Sequence, residues 1–185
     1  LCIEILLYAP MRAGTLSRLH LERHIRFIGS GRNRITQITA PAEEVKNNRD
    51  LHYELGPETT KLLDHYIRDA RSVLLRQPSE YLFPAQNGDH KRVEHVSGLI
   101  KQTVLEHTGM IINAHLFRSI AGKIHSMVAP GDFATLSHVL HNTLQTAMRA
   151  YAQFEHKSSI RHYQNSVDMA RKNLMSPNQS KKRKP

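Results

Sequence analysis

Between residues 24 and 55 the period of this sequence changes. Ile25-Arg26-Phe27-Ile28, Ile35-Thr36-Gln37-Ile38-Thr39 and Leu51-His52-Tyr53-Glu54-Leu55 alternate apolar and polar side chains, as strands with one buried face do. Gly29-Ser30-Gly31 and Asn47-Asn48 separate the three runs, which is the signature of a small antiparallel meander. The spacing elsewhere is helical. Residues 3–8 read as the end of a buried helix stopped by Ala9-Pro10, with Leu16, Leu19 and Ile25 continuing an apolar face beyond the break. After Gly56-Pro57-Glu58 the helical period returns in Leu62, Leu63, Tyr66, Ile67, Val73 and Leu74. Proline suits a first helical turn and the glutamate complements its dipole.

Tyr81-Leu82-Phe83-Pro84 is a short apolar piece and Asn87-Gly88 a turn. Helices are predicted over roughly 92–107, 114–128, 132–140 and 143–155, with Pro130-Gly131 as a break, and an amphipathic helix over 157–174. The tail from Ser176 to Pro185, rich in lysine and arginine, is expected to be disordered. The fold class is therefore α+β, mainly helical with one small antiparallel β-meander. The opening Leu1-Cys2-Ile3-Glu4 has mid-helix character, and the expectation is a cut domain, 1–175, ahead of a basic tail, 176–185.

Charge narrows the partner. With 26 lysines and arginines against 16 acids the net charge is +10. Such an excess favours a polyanion, most simply nucleic acid, because each neutralised phosphate releases counterions. The bland alternative is a basic surface with no dedicated ligand. No apolar run approaches a membrane span and no signal-peptide pattern is present, so no membrane partner is expected. A single cysteine, Cys2, excludes an internal disulfide and a cysteine-based zinc site. The thirteen histidines are scattered and form no H-E-x-x-H; neither metal nor cofactor is expected.

The chemistry concentrates in His115-Leu116-Phe117-Arg118. On a helix these two charged positions share a face, but the motif is weak because His20/Arg23 and His65/Arg68 repeat it. Each, taken alone, reads as an exposed helix face. The third stands in an otherwise apolar helix (Leu116, Phe117, Ile120, Ile124, Met127), where an unpaired arginine is costly and a phosphate would satisfy it.

In order along the chain, Tyr81-Leu82-Phe83-Pro84, His115-x-x-Arg118, Leu140-His141 and Tyr151-Ala152 resemble the catalytic domain of the tyrosine recombinases, the phage-integrase family. Leu7-Tyr8-Ala9-Pro10-Met11-Arg12-Ala13-Gly14-Thr15-Leu16 resembles the family's first arginine box. Val45-Lys46-Asn47-Asn48-Arg49, with Leu55-Gly56-Pro57-Glu58, resembles its lysine-bearing hairpin and the following helix. The resemblance covers about residues 1 to 155 and implies a set of roles. Tyr151 would be the nucleophile, forming a 3′-phosphotyrosyl link and freeing a 5′-hydroxyl. Arg12 and Arg118 would clamp the non-bridging oxygens, as guanidinium forks do. Lys46 would protonate the leaving oxygen, His115 would assist proton transfer, and His141 would hydrogen-bond the phosphate. The implied partner is double-stranded DNA, in a bacterial, phage or plasmid setting within the cytoplasm, without the N-terminal clamping domain. Self-association on DNA, with Val167, Met169, Ala170 and Leu174 of the 157–174 helix docking on a neighbour, is implied as well; packing on its own domain is the alternative.

The sequence departs from the family in four places. Thr15 stands where a glutamate is usual, Leu140 where a glycine usually precedes the histidine, and Ser119 where a basic residue is frequent. The gap from His141 to Tyr151 is one residue longer than the commonest spacing. Tyr163, in Ile160-Arg161-His162-Tyr163, is a rival nucleophile, but its candidate upstream histidine, His156, lies too close to it and too far from Arg118 for the family spacing. Two other readings stand beside recombination: a non-catalytic DNA-binding relative, and a type IB topoisomerase-like enzyme that relaxes DNA.

Overall fold

A computed structural model describes residues 1–152 and 156–175. Helices α1 (Cys2–Tyr8), α2 (Ala13–Ser17) and α3 (Leu21–His24) lead into β1 (Ile25–Ile28), β2 (Ile35–Ala40) and β3 (Leu51–Leu55). The expected meander is present, in the order β1-β2-β3, antiparallel throughout. Its register sets Ile25 opposite Ile38 and Ile38 opposite Tyr53. Alternation does the work here. Ile25, Thr36, Ile38, Ala40, Leu51, Tyr53 and Leu55 turn inward and are buried, while Arg26, His52 and Glu54 face out. A slip of one residue would invert this set, so burial itself fixes the register.

Against the inner face lie Ile5 and Leu6 of α1, Leu16 of α2, Leu63, Leu82, and Val96 and Ile100. Each such aliphatic side chain contributes about 2 kcal/mol by leaving water. The two buried threonines are satisfied in series: Thr36 Oγ1 donates to Thr60 Oγ1 at 3.0 Å, and Thr60 Oγ1 donates to the Leu55 carbonyl at 3.1 Å.

Helix α4 (Pro57–His65) begins on the proline and runs through a π-helical turn, Tyr66–Ala70, into α5 (Arg71–Leu74). The wider turn shifts the phase of the apolar face. The single continuous stripe expected from Leu62 to Leu74 is therefore corrected: Leu63 is fully buried, yet Leu62, Val73 and Leu74 are exposed. Arg71 is the buried member instead, donating from Nε to the Tyr81 carbonyl at 3.0 Å. That bond, with Leu82 N–H to the Leu19 carbonyl at 2.7 Å, anchors the Tyr81–Pro84 piece.

Then come α6 (Val93–Thr108), α7 (Leu116–Val128), α8 (Phe133–Val139), α9 (Leu144–Tyr151) and α10 (His156–Met175). Gly109, at φ 71°, closes α6 in the left-handed conformation that favours glycine. Asp132 and Thr143 cap α8 and α9 by accepting from Thr135 N–H (3.0 Å) and Thr146 N–H (3.2 Å). Leu136, Leu140, Ala147 and Tyr151 form a second, smaller core, with Ala121 and Phe133 packed against it. The two cores meet at α7, and the candidate site lies there. The basic tail from Ser176 lies outside the described residues.

Candidate active site

His115 is not on a helix, contrary to the sequence expectation. Asn113 turns the chain, its Oδ1 accepting from the N–H groups of His115 (3.0 Å) and Leu116 (3.2 Å), and α7 starts only at Leu116. An asparagine that bonds to the backbone two residues on is a turn device. It leaves His115 exposed at the mouth of a cleft and Arg118 one turn inside.

The apolar context assumed for Arg118 is also corrected. Leu116, Ile124 and Met127 are exposed, and the packed face of α7 carries Phe117, Arg118, Gly122 and Ser126. Nor is Arg118 unpaired. It is 5% exposed, and donates to the Pro10 carbonyl (2.7 Å), the Leu140 carbonyl (2.6 Å) and Asn142 Oδ1 (3.1 Å). The guanidinium thus ties the end of α1's loop to the end of α8. All three acceptors are neutral, so its charge is uncompensated by any carboxylate among the described residues. Burial and the neighbouring Arg12 both pull its pKa below the usual arginine value.

The other two H-x-x-R pairs look different. His20 meets Glu80 at 2.8 Å and Arg23 pairs with Glu44; His65 meets Asp69 at 2.6 Å and Arg68 meets Asp64 at 3.4 Å. Acids neutralise them. The third pair alone faces a cleft without one.

His141 is held by the end of α8. Its N–H bonds to the His138 carbonyl (3.0 Å) and Asn142 N–H to the Ser137 carbonyl (2.9 Å), a Schellman turn with histidine in the left-handed position at φ 47°. This gives the Leu140 departure a physical reason. Leu140 has an ordinary φ of −88° and is fully buried, so no glycine is needed there. The unusual conformation falls one residue later. Three contacts hold it: Asn47 donates from its side chain to the His141 carbonyl, Tyr53 donates to the Val139 carbonyl at 2.7 Å, and the Tyr53 and His141 rings meet edge to face at 5.2 Å. Burial and then the cation Arg118 lower the His141 pKa, which keeps the ring neutral at pH 7. Burial raises that of Tyr53 far above the ordinary phenol value.

Left-handed backbone costs a non-glycine residue about 1–2 kcal/mol. His141→Gly and His141→Ala both delete the ring, so the glycine variant is expected to be the more stable by about 1 kcal/mol. Paired denaturant titrations measure this. Equal midpoints would contradict the strained turn.

Two adjoining clefts share Arg12, Asn142 and Thr146. One, of about 350 Å³, is lined also by His115, Arg118, Ser119, Ala150 and Tyr151. The other, of about 340 Å³, adds Asn47, Arg49, His141 and Thr143. No acid lines either. Arg12, half-buried at the N-terminus of α2, stands between them. Tyr151 is 6% exposed and its hydroxyl lies 3.4 Å from the Arg118 carbonyl. Burial raises its pKa while Arg118 opposes the rise. Lys46 is exposed in the turn between β2 and β3 and lines neither cleft; Arg49 from the same turn does, and reaches the Asn142 carbonyl at 3.5 Å. Tyr163, on α10, is 70% exposed and lines neither.

Arg12, His115, Arg118, His141 and Tyr151 therefore come together, and Lys46 stands apart on a turn that touches the site. Tyr53, Asn142 and Asn47 were not singled out by the sequence. Among the described residues no three histidines, cysteines or acids are grouped to hold a metal ion, and no helix is long and apolar enough to cross a membrane.

The sequence matches the model of the Phage integrase family over residues 1–158. No curated protein sequence matches it. Among solved structures, the fold is similar to the XerH site-specific recombinase bound to its difH substrate before cleavage (TM-score 0.64, 16% identity), covering 86% of this chain and 43% of that one. It is similar to the XerA recombinase (TM-score 0.62, 15% identity, 86% and 56% covered). A third likeness is to the Tn1549 transposon integrase in complex with a circular intermediate DNA (TM-score 0.53, 13% identity, 80% and 52% covered). The chain spans about half the length of these proteins.

Proposed function

The chain belongs to the phage integrase family, and from that premise we propose that it is the catalytic domain of a tyrosine recombinase that cleaves and rejoins duplex DNA through Tyr151. One observation carries the reading. Two arginines, two histidines and a buried tyrosine converge on acid-free clefts large enough for a phosphodiester with its flanking sugars.

The chemistry follows from the positions. The Tyr151 oxygen attacks phosphorus; the Tyr151 O–P bond forms as the bond from phosphorus to the 5′-oxygen breaks. Burial keeps the phenol protonated at rest, so it must lose its proton during attack, and exposed His115 at the cleft mouth is the group to assist. Arg118, pre-aligned by three carbonyl-type acceptors, and Arg12 beside it stabilise charge on the non-bridging oxygens. A phosphate between them also relieves their mutual repulsion, which favours binding of an anion there. His141, neutral, donates one hydrogen bond from its ring N–H to a phosphate oxygen. Lys46 must move inward with its turn to protonate the departing 5′-oxygen. The reverse sequence rejoins the strand, and the 3′-phosphotyrosyl link preserves the bond energy between the two steps.

A nicked duplex that releases the 5′-hydroxyl fragment should trap the intermediate. The protein is expected to form a detergent-stable adduct with such a duplex. DNA binding with a steep salt dependence and no adduct would point instead to the non-catalytic relative. Relaxation of supercoils without a defined site would point to the topoisomerase-like alternative.

Assembly belongs to the proposal too. Every described side chain of α10 from 160 to 172 is exposed, including Ile160, Val167 and Met169; the side chain of Leu174 lies outside the described residues. We assign this face to a neighbouring protomer on DNA (compare exchange of an identical element). Truncation after residue 156 is expected to abolish multimers on DNA while leaving single-protomer binding. Unchanged multimers in a gel-shift titration would remove this part.

A further inference from the structure

We propose that Gly122 is a positioning residue for Tyr151: its missing side chain is the seat on which the tyrosine ring rests, and this seat aims the hydroxyl at Arg118. The inference rests on the reading of Tyr151 as nucleophile.

Gly122 lies in the interior of α7, one turn beyond Arg118, and is buried. Glycine weakens a helix interior relative to alanine, and α7 has no turn or positive φ here to require it. What requires it is the ring. A β-carbon built on Gly122 would lie 2.5 Å from Tyr151 Cδ1 and 2.8 Å from Cζ, and closer still to Cε1. Non-bonded carbons prefer about 3.5–4.0 Å, so any side chain at position 122 displaces the ring by about 1 Å. The contact is directional as well as close. With the ring flat on α7, the hydroxyl reaches the carbonyl of Arg118, the residue whose guanidinium lies in the same cleft as Arg12 and His115. Sequence separation is 29 residues between seat and ring, and α7 and α9 meet at the second core, where Ala121 packs against the cluster containing Ala147 and Tyr151.

A shift of this size in an attacking atom costs on the order of 10²-fold in rate. Gly122→Ala is therefore expected to bind DNA with unchanged affinity and to form the covalent adduct about 100-fold more slowly in single turnover. Its rate against pH should also change shape. The ring leaves the buried seat, so the tyrosine titrates nearer its ordinary value, and the rising alkaline limb moves to lower pH. Simple loosening of the core would slow the reaction without moving that limb. An adduct rate within twofold of the parent, with an unmoved limb, overturns the seat.

Stability supplies an independent arm, in case Gly122→Ala folds poorly. In Tyr151→Ala the ring is absent, and adding Gly122→Ala to it should then leave the melting temperature unchanged or raise it. A loss of melting temperature that persists in the double variant overturns the seat. Tyr151→Phe distinguishes the two levels of the argument. If that variant still forms the adduct, the nucleophile assignment is lost; if it does not and Gly122→Ala reacts normally, only the seat is lost.

Discussion

Arg118→Ala is expected to fail twice, in folding and in chemistry. Its side chain closes a bridge from the Pro10 carbonyl to the Leu140 carbonyl and Asn142. Truncation leaves three acceptors without a donor and a cavity between the two cores, a combined loss of about 3–5 kcal/mol. For a domain of this size that lowers the melting temperature by roughly 10 °C. On the proposed mechanism the same change also removes a transition-state clamp worth about 3 kcal/mol, or two orders of magnitude in cleavage. Arg118→Lys separates the two effects. An ammonium keeps the charge but cannot span two carbonyls with one planar fork, so partial recovery of stability without recovery of cleavage is expected. Melting curves and single-turnover cleavage on the same preparations check this. Normal stability of Arg118→Ala would mean the bridge is not a structural element.

Arg12→Ala should behave in the opposite way on one axis. Arg12 is half-buried, pairs with no carboxylate among the described residues, and repels Arg118. Its removal is expected to leave the melting temperature unchanged or slightly higher, while single-turnover cleavage falls by roughly 10²–10³-fold. Thr15, standing where the family usually places a supporting glutamate, fits this picture of an arginine without a carboxylate beside it. A destabilised Arg12→Ala with normal cleavage would reverse its assignment from clamp to scaffold.

The particular residues show why some of this was legible in sequence and some was not. Strand positions came through because one buried face imposes a period of two: Ile38 and Leu55 are fully buried where the alternation requires. Helix starts came through where a local device marks them, as Pro57 does for α4. The candidate site's members could be ordered along the chain through the resemblance to the family's motifs; residue type alone does not mark them, since His20/Arg23 and His65/Arg68 repeat the spacing of His115/Arg118. The support around them is invisible locally. Tyr53 steadies His141 from 88 positions away, and Asn47 holds the same residue's carbonyl from 94 away; nothing within either segment signals the approach. The left-handed turn at His141 was hidden because histidine is not the residue a Schellman turn leads one to expect. The π-helical turn at Tyr66–Ala70 was hidden because it keeps helical spacing on both sides while shifting the phase between them. The amphipathic signal in α7 misleads for a related reason: Leu116, Ile124 and Met127 are exposed, and beside Phe117 the packed face carries an arginine, a glycine and a serine.

The electrostatic design of the site is also a matter of folding. Thirteen histidines and 26 lysines and arginines are spread along the sequence, and acids stand beside Arg23, Arg34 and Arg68. Three arginines, Arg12, Arg49 and Arg118, line two adjoining clefts together with His141, and no acid lines either. On the proposed reading, that acid-free lining favours a phosphate more than the net charge of the chain does.

The central claim is that Tyr151 carries the DNA strand. Trapping the protein on an end-labelled nicked duplex, digesting it and sequencing the labelled peptide tests this most directly. The account predicts the label on the peptide containing Tyr151, and no adduct from Tyr151→Phe. Label on Tyr163, or an undiminished adduct from Tyr151→Phe, would contradict it.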